Sequence, residues 1–62
     1  MQKKKMSKTA YSDYAIGIER AVATGDVTYL RYTIQRIMEL YDSNDKVVAG
    51  LIGMCKMVPG VA

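Results

Sequence analysis

The chain has 62 residues, 50% hydrophobic, 24% charged and 8% aromatic, the make-up of one small globular unit. One cysteine and no histidine exclude an internal disulfide, a Cys/His zinc site and a Ser-His or Cys-His nucleophile pair within the chain. A chain this short buries only about 60% of its unfolded surface, so with those two staples gone, self-association is the remaining route to a sufficient core.

The same absences argue against catalysis. Without histidine, a general base poised near neutral pH would need a strongly shifted carboxylate or lysine. No enzymatic activity, no cofactor and no metal are therefore expected. The lone thiol, Cys55, suits a reducing compartment, and a cytoplasmic location follows as an expectation.

The net charge of +3 divides unevenly. Residues 1–8 carry Lys3, Lys4, Lys5 and Lys8 and no acid, whereas residues 9–62 carry five basic and six acidic side chains, a net of −1. Residues 1–8 are accordingly expected to be a basic, flexible tail, and residues 9–62 a single helical domain. The tail has no apolar run after its charges, so it does not read as a secretory signal. Its four lysines offer a phosphate tether of little specificity, a route to non-specific nucleic-acid binding.

The first periodic stripe is Tyr11, Tyr14, Ala15, Ile18, Ala21 and Val22, at the three- and four-residue spacing of a helix face. Ser7, Thr9 and Ser12 are candidate N-caps. Gly17 lies inside this helix at a cost of about 1 kcal/mol relative to alanine, which points to close approach of another part of the backbone or else to a tolerated defect, close packing being favoured. Thr24-Gly25-Asp26 ends the helix, with Gly25 free to turn left-handed and Asp26 placed to cap the next.

The second stripe, Val27, Leu30, Ile34, Ile37, Met38 and Tyr41, is the clearest amphipathic helix. The break before it is so short that the two helices should form a hairpin or tight corner. Asp42-Ser43-Asn44-Asp45 reads as the next turn, with Ser43 or Asn44 capping a third helix and Asp45 in its first turn. It is no calcium loop, because the sixth and twelfth positions from Asp42 are Val47 and Gly53 rather than glycine and glutamate.

Val47 to Val58 carries one charge in twelve residues before Pro59 and Gly60 stop it. A membrane span needs about 20 such residues, and the glycines and methionines favour a helix over a strand. A helix apolar nearly all round needs more cover than two short helices supply. The fold class is therefore all-α: a compact three-helix unit, a helical hairpin plus a short apolar third helix, completed by self-association. Ala49 and Gly53 with Gly50 form a flat patch of small residues for close helix contact, and Leu51 and Met54 complete the expected oligomer interface. Cys55 reads as buried filler.

Five tyrosines with no Phe or Trp suit wet interfaces, where a ring packs and a hydroxyl bonds. Tyr29, Arg31, Tyr32 and Arg36 lie largely off the core stripe of the second helix and form the candidate ligand or partner site, able to stack a base and hold a phosphate. No glycine-rich phosphate loop occurs, so a phosphate ligand would depend on side chains from several subunits. The leading expectation is a small non-enzymatic homo-oligomer that docks on and regulates or inhibits a larger protein partner. The alternatives are sequestration of a nucleotide-type anion between subunits and nucleic-acid binding through the lysine tail.

Overall fold

Ser7 opens the first helix because its hydroxyl accepts a hydrogen bond from the Ala10 amide at 3.1 Å, relieving a first-turn donor that has no partner within the helix. In the computed structural model, which describes residues 3–61, this helix, α1, spans Lys8–Thr24. Met1, Gln2 and Ala62 lie outside the described residues, so the expected tail is described from Lys3 onward. Gly25 ends α1 in the left-handed conformation, φ 70°, and the Asp26 amide reaches back to the Ala21 carbonyl at 2.9 Å. Asp26 then caps α2 (Val27–Leu40), its carboxylate accepting from the Tyr29 amide at 3.0 Å.

The turn to the third helix uses its side chains differently from expectation. Asp42 accepts from the Asn44 amide at 2.9 Å, closing an Asx turn, and Asp45 itself caps α3 (Lys46–Cys55) through the Val47 amide at 2.9 Å. The cap is thus Asp45 rather than Ser43 or Asn44, because the Asx turn leaves Asp45 extended at the helix entrance. α3 stops at Cys55, three residues short of the expected Val58. The residue before a proline resists helical geometry, and Val58 precedes Pro59. The chain instead turns back so that Val58 is partly buried and Val61 joins the core.

Each helix packs on both others. Ile18 of α1, Leu30 and Ile37 of α2, and Val48, Leu51 and Cys55 of α3 are fully buried where they meet. The α2 stripe is rotated relative to expectation. Thr33 is buried between Leu30 and Ile37 in sequence, and Met38 sits 45% exposed at the rim. No buried side-chain nitrogen or oxygen among the described residues lacks a partner. The three-helix, all-α part of the expected fold is what forms, and one chain closes that core by itself.

The basic N-terminal segment is not free along its described length. The Lys4 amide donates to the Leu40 carbonyl at 2.9 Å, forming a parallel bridge with Tyr41, and the Lys3 ammonium donates to the Met38 carbonyl. The end of α2 presents carbonyls with no partner inside the helix, and this segment supplies donors to them. Met6 packs partly against the core, and Lys8 is already helical.

Candidate functional site

Residues along a helix advance by about 100° each, so Tyr29, Tyr32 and Arg36 fall within roughly 60° of one another around α2. Arg31 lies about 140° away from Arg36 by the same geometry, on the flank of Met38. The four residues expected to act together therefore split: three share one face and Arg31 stands on the other. From that face Tyr29 reaches α1 at Gly17, while Tyr32 and Arg36 are exposed. Tyr14 of α1 titrates above the ordinary phenol range, chiefly because it is partly buried and next because the Tyr41 phenol lies close. Arg36 pulls it the other way, and Tyr29 and Tyr32 add smaller upward pushes, so all four side chains act on Tyr14.

Three of the five tyrosines, Tyr14, Tyr29 and Tyr41, line one flank of the molecule. Tyr14 and Tyr41 meet edge to face, ring centroids 6.3 Å apart and planes at 88°, a favoured aromatic geometry. Tyr29 leans across α1. A side-chain carbon added at Gly17 would overlap its hydroxyl. The close approach expected at Gly17 is therefore made by a tyrosine side chain, not by another stretch of backbone. Between these rings lies a depression of about 420 Å³ lined by Ala10, Asp13, Tyr14, Tyr29 and Tyr41.

Asp13, Tyr14 and Tyr41 were not among the expected site residues. Tyr14 and Tyr41 lie on the core stripes in sequence, and both are indeed half-buried or buried, yet each borders the depression. Tyrosine at the edge of a core stripe, rather than Leu or Ile, was the available signal, since a phenol at such an edge keeps its hydroxyl wet.

The expected oligomer interface divides in the same way. Leu51 is 1% exposed and packs inside its own chain, so it cannot face a partner, and Met54 is half-buried against the core. Leu51 belongs with Val48, Ile52 and Cys55 on the inner face of α3, each within four residues of Leu51 on the side that meets α1 and α2. Ala49, Gly50 and Gly53 are exposed, and carbons added at Gly50 and Gly53 would meet nothing within 4 Å. Met57 is 74% exposed because the helix ends before it. Two grooves flank this face. One, about 400 Å³, runs along Met38, Ala49, Ile52 and Gly53; the other, about 340 Å³, has an apolar floor of Met6, Tyr11, Val47 and Gly50 and is rimmed by Lys8 and Lys46.

Cys55 is buried, and burial pushes its thiol pKa up, away from the reactive thiolate. Its place in the core agrees with the filler reading. Among the described residues no group of three His, Cys, Asp or Glu side chains is placed to hold a metal ion, and no helix is long and apolar enough to cross a membrane. No family model, curated protein or solved structure matches this chain.

Proposed function

We propose that the protein is a non-enzymatic helical interaction protein that works as a homo-oligomer and docks on a larger partner to regulate or inhibit it. The observation that carries this reading is the outer face of α3. Val47 is 47% exposed and Met57 74% exposed, and between them Ala49, Gly50 and Gly53 form a surface without bulk. Its charges stand only at the ends, Lys46 and Lys56. Small residues let a second helix approach closely, and exposed apolar area on so small a unit favours association. The groove rimmed by Lys8 and Lys46 suits a partner that brings an apolar side chain next to a carboxylate.

Sedimentation velocity across micromolar concentrations tests the self-association half. The wild type should run as a dimer or larger and Gly53→Glu as a monomer of unchanged helicity, since a side chain at Gly53 has open space in the single chain. A wild type that stays monomeric at high concentration would sink this reading. Native mass spectrometry of the protein from cells reads the partner half, as retained mass beyond the oligomer.

A second reading, capture of a small nucleotide-type anion, gains support from one observation: Tyr14, Tyr29 and Tyr41 line one depression, and Arg36 shares the α2 face of Tyr29. Stacking and a guanidinium are the two parts such a ligand needs.

A further inference from the structure

We infer that the groove between α1 and α3 receives the outer ridge of α1 from a second copy of this chain, with Ile16 on its floor and Asp13 and Glu19 against Lys8 and Lys46. This deepens the self-association reading and rests on it.

Met6, Tyr11, Val47 and Gly50 give the groove an apolar floor, and the two lysines that border it, Lys8 and Lys46, are each the first residue of a helix. A cation there is set against the helix dipole, and neither α1 nor α3 carries an acid in its first turn. No acidic side chain lines the groove. Asp45 stands next to Lys46, but its carboxylate already accepts from the Val47 amide as the cap of α3. The groove is therefore electropositive around an apolar floor.

The chain carries the complement on another surface. Ile16 is 50% exposed and takes no part in the core. Asp13 and Glu19 lie three residues before and after it, both exposed, within about 60° of it around α1. Arg20 shares this ridge, and with the two carboxylates it leaves a net charge of −1. An apolar side chain between two carboxylates matches an apolar floor between two lysines.

Ile16 and Tyr11 lie about 140° apart around α1, so a copy cannot fill its own groove. Because ridge and groove are different surfaces, the contact is head to tail and closes into a ring or runs on as a filament. Gly50 belongs both to the groove and to the small-residue face of α3, and a carbon added there meets nothing. A helix laid on Gly50 comes within one turn of Gly53, so Gly53→Glu obstructs the same seat.

Sedimentation velocity of two variants, alone and mixed one to one, tests the proposal. Ile16→Asp spoils the ridge and keeps the groove, whereas Gly50→Glu blocks the groove and keeps the ridge. Each alone should stay monomeric where the wild type associates. Their mixture should form a dimer and nothing larger, with a dissociation constant that rises at least about threefold from low to high salt. Circular dichroism confirms that the helices persist, and Ile16→Ala and Gly50→Gln replace a variant that unfolds. Either variant assembling alone as the wild type does, a mixture that stays monomeric, or a mixed dimer indifferent to salt overturns this docking and leaves the self-association reading standing. A wild type that stays monomeric overturns both.

Discussion

The two outer flanks of this molecule are built on opposite principles. On the α1/α2 flank, tyrosines lean over one another and over Gly17, and their polar ends stay wet while their rings cover the core edge. On the outer face of α3, side chains have been reduced to alanine and glycine, leaving a surface with nothing packed on its glycines. The first flank presents rings and a carboxylate around a depression. The second carries shape alone, which a second helix can match. A small chain can hold both because the inner face of α3, not its outer face, supplies the core.

The sharpest break of this comparison is within α3 itself. In the Gly53→Glu background, where association is removed, Leu51→Ala should cost about 2–5 kcal/mol in urea unfolding, as buried leucine truncations do. Ala49→Ser, two positions away on the outer face, should change stability by less than about 0.5 kcal/mol. Equal costs for the two would mean that α3 does not have one structural and one open face.

A smaller effect separates the tyrosine flank from the core beneath it. Gly17→Ala gains up to about 1 kcal/mol of helix propensity but forces the Tyr29 hydroxyl from its position, and a hydroxyl at the end of an exposed ring moves at little cost. The melting temperature should hold or rise. A fall would show that the Tyr29 hydroxyl cannot leave its place over Gly17.

The smallest expected effect concerns the N-terminal segment. Deletion of residues 1–5 removes the Lys4 amide bond to Leu40 and the Lys3 contact with Met38 at the end of α2, worth about 1 kcal/mol together on the usual net scale of exposed bonds. Thermal unfolding of the truncated chain checks it. A loss several times larger would mean that the segment also braces Tyr41.

Most of the fold was legible because it is local chemistry. Gly25 and Asp26 end one helix and start the next through conformations and hydrogen bonds that need only neighbouring residues, and the spacing of Leu30, Ile34 and Ile37 makes α2 amphipathic wherever it packs. Such signals survive without knowledge of the partner helix. The role of Leu51 was not legible in the same way, since α3 is apolar on nearly every side and periodicity cannot choose a face when all faces are alike.

By itself, then, the sequence determined three helices, the Gly25–Asp26 junction between the first two and the small residues of α3, because these depend on contacts within a few residues. Tertiary structure alone decided that Tyr14 and Asp13 border one depression with Tyr29 and Tyr41, and that the backbone of Lys4 pairs with the end of α2. The physical reason is that these groups are distant in the chain and meet only when α1 and α2 settle at one rotation about their axes. That rotation is chosen by how Ile18, Leu30 and Ile37 fill the shared interior, a packing solution that no single stripe encodes.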